Sequence, residues 1–133
     1  EMSGFLNRDR AQGAATIRGE GDDIVLAATS GAARQHGLWI ALGSLAIDNG
    51  DGSWANRSFL IAPDGKVRAR YDKLHMFDVD LASGESWRES SAYRAGEAVV
   101  TAADTPVGTL GLAICYDLRF PALFEALGRR YCD

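Results

Sequence analysis

The stretch Gly111-Leu112-Ala113-Ile114-Cys115-Tyr116-Asp117-Leu118-Arg119-Phe120-Pro121 decides how this chain is interpreted. The apolar run from Val107 to Ile114 predicts a buried strand, and Pro121 suits the first turn of a helix that runs to about Arg130. Cys115 then stands between a strand and a helix, a geometry that presents nucleophiles. Free N–H groups at a helix start favour a thiolate and can bind an oxyanion. From Cys115 alone, a buried cysteine that only packs is the competing interpretation.

A second polar cluster lies upstream, in Tyr71-Asp72-Lys73-Leu74-His75-Met76-Phe77-Asp78. Lys73 between apolar and aromatic neighbours can act as a fixed positive charge in a site, although a solvated lysine at a strand end gives the same pattern. Residues 73–98 predict a long irregular loop, and such loops in compact domains are usually functional or disordered. The chain has two histidines and no spacing typical of zinc ligands, so we expect no metal site.

The segment before this cluster predicts an antiparallel meander over residues 38–72. Its three strands are expected at residues 38–47, 57–61 and 66–71. The first reads as a strand buried on both faces, and Asn-Gly-Asp-Gly and Pro-Asp-Gly sequences supply the two turns. A helix capped by Asp22 or Asp23 precedes the meander and ends at Gly37. Residues 1–21 are polar and Gly-rich and predict no regular element.

Composition bounds the partners of the chain. It has 133 residues, with 14 Lys and Arg against 18 Asp and Glu, a net charge of −4, and 47% apolar residues. These values suit one globular domain at most and argue against binding nucleic acid. No run approaches the roughly 18 apolar residues of a membrane span. Two cysteines, Cys115 and Cys132, make no disulfide framework, so we expect a reducing, cytoplasmic setting with Cys132 as an incidental thiol.

Together, residues 71–78 and 111–121 resemble the lysine and cysteine motifs of the nitrilase superfamily of carbon–nitrogen hydrolases. The hairpin from Asn56 to Gly65 resembles the family as well. The resemblance covers the whole chain and is strongest for the branch of Nit-type ω-amidases and deaminated glutathione amidases. It implies an α/β fold, a four-layer αββα sandwich. Residues 1–133 are then expected to be the central part of a single hydrolase domain, with an N-terminal strand and helix and a C-terminal portion missing.

The resemblance also implies roles for individual residues. The family uses a Glu-Lys-Cys triad, which maps onto Glu1, Lys73 and Cys115, with Glu89 supporting the lysine and the Tyr116 backbone N–H helping to bind the oxyanion. The implied reaction is hydrolysis of a small carboxylic-acid amide, in preference to a nitrile, through a Cys thioester with release of ammonia. No metal or organic cofactor is implied, and a homodimer or larger homo-oligomer is expected. Candidates for binding a substrate carboxylate are Arg88, Arg94 and Arg119.

Two other hypotheses stay open at this point. One is a Cys-His hydrolase in which His75 is the base for Cys115. The other is a non-catalytic assembly or interaction domain. Replacing His75 distinguishes the first from the triad, and the relative reactivity of Cys115 and Cys132 towards a thiol reagent distinguishes the second.

Overall fold

The computed structural model describes residues 1–3 and 10–130; Cys132 and part of the amino-terminal stretch lie outside the described residues. The described helices are α1 (Arg10–Thr16), α2 (Ile24–His36) and α3 (Pro121–Arg129). The strands are β1 (Ile40–Asp48), β2 (Trp54–Ile61), β3 (Val67–Asp72), β4 (Asp78–Asp80), β5 (Ser86–Arg88), β6 (Thr101–Thr105) and β7 (Gly108–Gly111). Short 3₁₀ helices occupy Glu20–Asp22, Glu89–Ser91 and Cys115–Arg119.

Helix α2 is confirmed and has well-defined ends. The side chain of Asp23 accepts a hydrogen bond from the Leu26 N–H at 2.7 Å, and Gly37 ends the helix in the left-handed region with φ 63°. An N-cap carboxylate and a C-terminal glycine satisfy backbone groups that a helix end leaves open. The buried face of α2 packs on the sheet through a cluster made up of Leu26, Ala33, Leu45, Ile47, Phe59 and Ile61.

The meander is confirmed as an antiparallel sheet in the order β1-β2-β3. The turn at Gly65, with φ +80°, brings the backbone so close to α2 that an added Cβ would lie 2.8 Å from the Ser30 carbonyl oxygen. The expectation that the first strand is buried on both faces is right for residues 44–47 and wrong for Ala41 and Gly43, which are exposed. In the described sheet β1 is an edge strand paired with β2. Ile47 in its second half also forms a parallel bridge with Arg18, whereas the exposed Ala41 and Gly43 lie before that bridge.

The segment before Cys115 differs from the prediction of one buried strand over Val107–Ile114. Val107 is 77% exposed and lies in the turn of a hairpin that pairs β7 with the unpredicted β6. Gly108, with φ +89°, makes this turn possible. Ala102 of the hairpin packs on Leu60 and Ala69, on the face of the meander opposite α2 because neighbouring strand residues point to opposite faces. The β1–β3 sheet therefore lies between helix α2 on one face and the β6–β7 hairpin on the other.

Three other segments complete the comparison with the predicted elements. The helix predicted after Pro121 is confirmed as α3, and Arg130 at its end donates a 2.6 Å hydrogen bond to the carbonyl of Val99, in the segment that precedes β6. The loop over residues 73–98 is not structureless, because it contains the β4–β5 hairpin. Helix α1 lies in the stretch where no element was predicted, since its sequence RAQGAAT has no apolar stripe and contains an interior glycine.

A close backbone approach at Gly96 predicts a large penalty for any side chain there. The Gly96 N–H donates to the Lys73 carbonyl at 2.8 Å, and an added Cβ would lie 2.3 Å from the Asp72 carbonyl oxygen. We expect Gly96→Ala to lower the free energy of unfolding in urea by about 1–3 kcal/mol or more, as overpacking does. The matched control is Gly31→Ala in α2, where no atom would lie within 4 Å of the new Cβ, and where alanine should stabilise by about 0.5–1 kcal/mol. Equal effects of the two substitutions on the free energy of unfolding would contradict this account of the close approach at Gly96.

Candidate active site

A buried lysine side chain forms the centre of the site. Lys73 follows directly on β3 and its side chain is only 1% exposed. The Nζ atom donates hydrogen bonds to Oε1 of Glu1 at 2.7 Å and to Oε2 of Glu89 at 2.8 Å. The Lys73 N–H donates to the Asn56 carbonyl at 2.9 Å, which continues the β2–β3 ladder past the end of the strand. The sheet therefore fixes the backbone from which the ammonium group extends.

The two glutamates reach Lys73 from separate parts of the chain. Glu1 is held beside β1, since the Met2 N–H donates to Oγ of Ser44 at 3.0 Å and the Ser3 N–H donates to the Ser44 carbonyl at 2.7 Å. Glu89 begins the 3₁₀ helix after β5, and its Oε2 also accepts from the Phe77 N–H at 2.7 Å. Their side chains are 29% and 13% exposed. The structure thus brings three of the predicted site residues into direct contact.

Asn56 is a member of this cluster for which the sequence predicted no role. It lies in the middle of β2, is fully buried, and its Nδ2 donates to Oε1 of Glu1 at 2.6 Å and to Oε1 of Glu89 at 3.1 Å. An amide that donates to both carboxylates lessens the cost of holding two negative charges close together. The available signal was a polar residue within a strand of mostly apolar neighbours.

The charges of the cluster follow from competing effects on each pKa. Burial raises the pKa of Glu1, but hydrogen bonds from Lys73, Cys115 and Asn56 outweigh it and leave that pKa below its usual value. Burial lowers the pKa of Lys73, but hydrogen bonds to the two glutamates outweigh it and leave that pKa above its usual value. Glu1 is therefore ionised and Lys73 protonated at neutral pH. Their pairing stabilises the fold above the ordinary glutamate pKa and below the ordinary lysine pKa, and is lost in stronger acid or alkali.

Cys115 differs from the expectation of a thiolate at a helix start. It is the first residue of the 3₁₀ helix Cys115–Arg119, with φ +44°, and it is exposed. Its hydrogen bond with Glu1, followed by burial and the charge of Glu1, raises the thiol pKa, and the charge of Lys73 offsets this only in part. The expected thiolate is therefore wrong for the resting site, because a carboxylate beside the sulfur outweighs the short helix and the lysine. The raised pKa keeps the Cys115 thiol neutral beside the Glu1 carboxylate.

The three candidate arginines have different surroundings. Arg88 pairs with Asp80 across the β4–β5 hairpin at 2.7 Å, and Arg94 pairs with Asp51. Both therefore have carboxylate partners within the protein. Arg119 lies at the end of the 3₁₀ helix that begins at Cys115, and its side chain is exposed.

Aromatic side chains connect the lysine and cysteine segments. His75 stacks on Phe120 with ring centroids 3.7 Å apart, and Tyr116 contacts Phe120 edge-on at 5.4 Å and Phe77 at 5.0 Å. The Nδ1 of His75 lies 2.7 Å from Oδ1 of the buried Asp117. His75 therefore contacts Asp117 and Phe120, whereas Glu1 is the carboxylate that raises the pKa of the Cys115 thiol.

Two further observations concern metals and membranes. Within residues 1–3 and 10–130, we find no group of three or more His, Cys, Asp or Glu side chains arranged to hold a metal ion. None of the helices in those ranges has the length and apolarity needed to cross a membrane.

Known proteins resemble this chain in sequence. Residues 1–132 match the family model described as carbon–nitrogen hydrolase. The chain is 48% identical over 98 residues to a deaminated glutathione amidase of Yersinia enterocolitica. The aligned region covers 71% of this chain and 34% of that protein. This relative carries the activity name of the branch that the motifs resemble.

Two solved structures resemble the fold. The NitFhit protein of C. elegans superposes with a TM-score of 0.74 at 35% identity, covering 90% of this chain and 29% of that one. A mutant amidase of Nesterenkonia sp. AN1, solved with the acetamide moiety of fluoroacetamide added covalently at its active-site cysteine, gives a TM-score of 0.71 at 25% identity, covering 90% and 42%. The α/β sandwich expected from the resemblance is confirmed. The chain spans less than half of the length of each of these proteins.

Because the Cys115 thiol is neutral, we predict that removing the Glu1 carboxylate speeds alkylation of Cys115 but slows amide turnover. Replacing Glu1→Gln in the natural protein that contains this sequence removes the main cause of the raised thiol pKa and leaves Lys73 in place. Alkylation of Cys115 by iodoacetamide at neutral pH should therefore become faster. Under the Glu-Lys-Cys mechanism that the resemblance implies, amide turnover should fall by about 10²–10⁴-fold, the usual contribution of a general base.

The matched control for this substitution is Glu85→Gln, an exposed glutamate next to β5. It should leave both rates unchanged. If Glu1→Gln slowed alkylation and turnover together, the assignment of Glu1 as the proton acceptor of a neutral thiol would be wrong.

Proposed function

The chain belongs to the carbon–nitrogen hydrolase family, and on this premise we propose that it forms the catalytic centre of an amidase that hydrolyses small carboxylic-acid amides. The observation that carries the proposal is the buried Lys73 ammonium held between Glu1 and Glu89, with the Cys115 thiol close enough to Glu1 for that carboxylate to raise the thiol pKa. A base, a nucleophile and a fixed positive charge are the groups that acyl transfer needs.

The proposed reaction begins with the neutral thiol. As Sγ of Cys115 attacks the amide carbonyl carbon, its proton moves to Glu1, so no free thiolate is required beforehand. The negative charge that develops on the carbonyl oxygen is stabilised by Nζ of Lys73 and by the Tyr116 backbone N–H. Glu1 then gives its proton to the amide nitrogen, the carbon–nitrogen bond breaks, and ammonia leaves a thioester on Cys115.

The second half of the reaction releases the acid. Water attacks the thioester carbon while Glu1 accepts a proton from it, and the resulting tetrahedral intermediate uses the same two oxyanion donors. The carbon–sulfur bond then breaks, and Glu1 returns the proton to Sγ. Glu89 keeps Lys73 charged and oriented throughout, because it accepts hydrogen bonds from both Nζ and the Phe77 N–H.

The substrate class follows from the relative named a deaminated glutathione amidase and from the arginines. A small amide that carries its own carboxylate is the proposed substrate, with Arg119 as its binding residue, since Arg88 and Arg94 are paired with Asp80 and Asp51. Amides are proposed as better substrates than nitriles. A homodimer or larger assembly stays a prediction.

Loss of the nucleophile tests the proposal directly. In the natural protein that contains this sequence, Cys115→Ala should reduce ammonia release from small primary amides by on the order of 10⁴-fold or more, as in other enzymes that lose their nucleophile. Cys132→Ala is the matched control and should leave the rate unchanged. Undiminished hydrolysis by Cys115→Ala would contradict the proposal. No ammonia release by the unmodified protein, with equally slow labelling of both cysteines, would favour a non-catalytic assembly domain instead.

A substitution of His75 separates this proposal from a Cys-His hydrolase. His75→Phe keeps a ring to stack on Phe120 but removes the Nδ1 contact with Asp117. With Glu1 as the base, we expect hydrolysis to persist with a loss of about tenfold, the effect of one charge-assisted hydrogen bond. Complete loss of activity in a folded variant would favour His75 as the base of Cys115.

A further inference from the structure

A buried carboxylate connects the lysine segment to the cysteine segment. Asp117 has no exposed surface. Its Oδ2 accepts from the Tyr71 hydroxyl at 2.6 Å and from the Ile114 N–H at 2.9 Å. Its Oδ1 accepts from the His75 N–H at 3.0 Å and lies 2.7 Å from the His75 Nδ1. No residue of this network was predicted from the sequence to act together with Asp117.

The donors of this network flank both Lys73 and Cys115 in the sequence. Tyr71 and His75 lie two residues before and two residues after Lys73, and Ile114 directly precedes Cys115. One carboxylate therefore holds the backbone on both sides of the lysine and the backbone next to the nucleophile. Burial and the bond to Asp117 raise the pKa of Tyr71, so its proton stays available to the carboxylate. A buried carboxyl group with three hydrogen-bond donors and the contact with the His75 Nδ1 is costly to rearrange, which makes it a rigid connection.

The backbone of Cys115 needs such a connection. Its φ of +44° is unusual for a residue with a side chain. Asp117 closes this turn in both directions: its carboxylate accepts from the Ile114 N–H, and its own N–H donates to the Ile114 carbonyl at 3.1 Å. Strained residues at functional sites persist when the surrounding structure holds them in place.

We propose that Asp117 is a positioning residue that fixes Sγ of Cys115 against Glu1 and beside Nζ of Lys73. It acts through the backbone of Ile114 and through Tyr71 and His75, and it does not touch the substrate. The inference rests on the proposed function, because its purpose is to keep the thiol in line with its base. Loss of the Asp117 carboxylate should therefore move the Cys115 thiol away from Glu1 while both groups remain present.

The test uses Asp117→Asn in the natural protein that contains this sequence. The amide keeps the shape, but its NH₂ group must face at least one of the backbone donors. We expect kcat for the best amide of a primary-amide panel to fall by about 100-fold, the effect of misplacing a reacting group by about 1 Å, with KM unchanged. The pH profile of Cys115 alkylation by iodoacetamide should shift to lower pH, because a thiol displaced from Glu1 loses the main cause of its raised pKa.

The control separates positioning from stability. Ile61→Val lies in the α2 core, on the other face of the sheet, and lowers stability without touching this network. It should leave the alkylation profile of the folded protein unchanged. Tyr71→Phe removes one donor to Asp117 and should shift the alkylation profile in the same direction by a smaller amount. This variant decides the question if Asp117→Asn fails to fold.

The inference is overturned if the folded Asp117→Asn variant, or Tyr71→Phe in its place, keeps the unmodified alkylation profile and kcat. This failure is distinguishable from failure of the proposed function, which shows as undiminished hydrolysis by Cys115→Ala. The alkylation profile requires no turnover, so it judges the role of Asp117 in either case.

Discussion

One buried cation, the ammonium group of Lys73, is the constraint on which the rest of the structure depends. A charge that is removed from water is costly unless it is paired and hydrogen-bonded. The chain meets this cost with Glu1 from the amino-terminal segment, Glu89 from the loop after β5, and Asn56 from the adjacent strand. Each of these side chains must be held in place for the buried ammonium group to stay paired. The meander, the close approach at Gly96 and the short 3₁₀ helix at Glu89 all contribute to this positioning.

The charge balance of the cluster determines how its nucleophile works. The cluster sets one ammonium group against two carboxyl groups. The hydrogen-bonding effect of Glu1, followed by burial and the charge of Glu1, raises the pKa of the Cys115 thiol, and Lys73 offsets this only in part. A thiolate–imidazolium pair, as in a Cys-His site, stores the reactive anion in the resting enzyme. In the proposed reaction the proton instead stays on sulfur until attack, and the ionised Glu1 accepts it. Proton transfer then coincides with charge development on the oxygen, where Lys73 already lies close by.

Sequence reasoning succeeded where the signals are local. The caps of α2, the Pro-Asp-Gly turn and Pro121 at the start of α3 are encoded within a few residues. The lysine motif also predicted a polar cluster at Lys73, and the structure places this residue between Glu1 and Glu89. It failed for β6, since the hairpin depends on a turn at Val107-Gly108 within a run that reads as one apolar strand. Asn56 and Asp117 acquire their roles from partners dozens of residues away. The thiolate expectation failed for the same reason, because Glu1 approaches Cys115 only in the folded chain.

The central claim is that Cys115 carries the acyl group between amide and acid. The most direct measurement is intact-protein mass spectrometry of the natural protein, quenched in acid during turnover of a primary amide, followed by peptide mapping. The account predicts a mass increase equal to the acyl group, confined to the peptide that contains Cys115 and lost when the substrate is exhausted. Steady release of ammonia without any acyl adduct on that peptide, under conditions that trap a thioester standard, would contradict it.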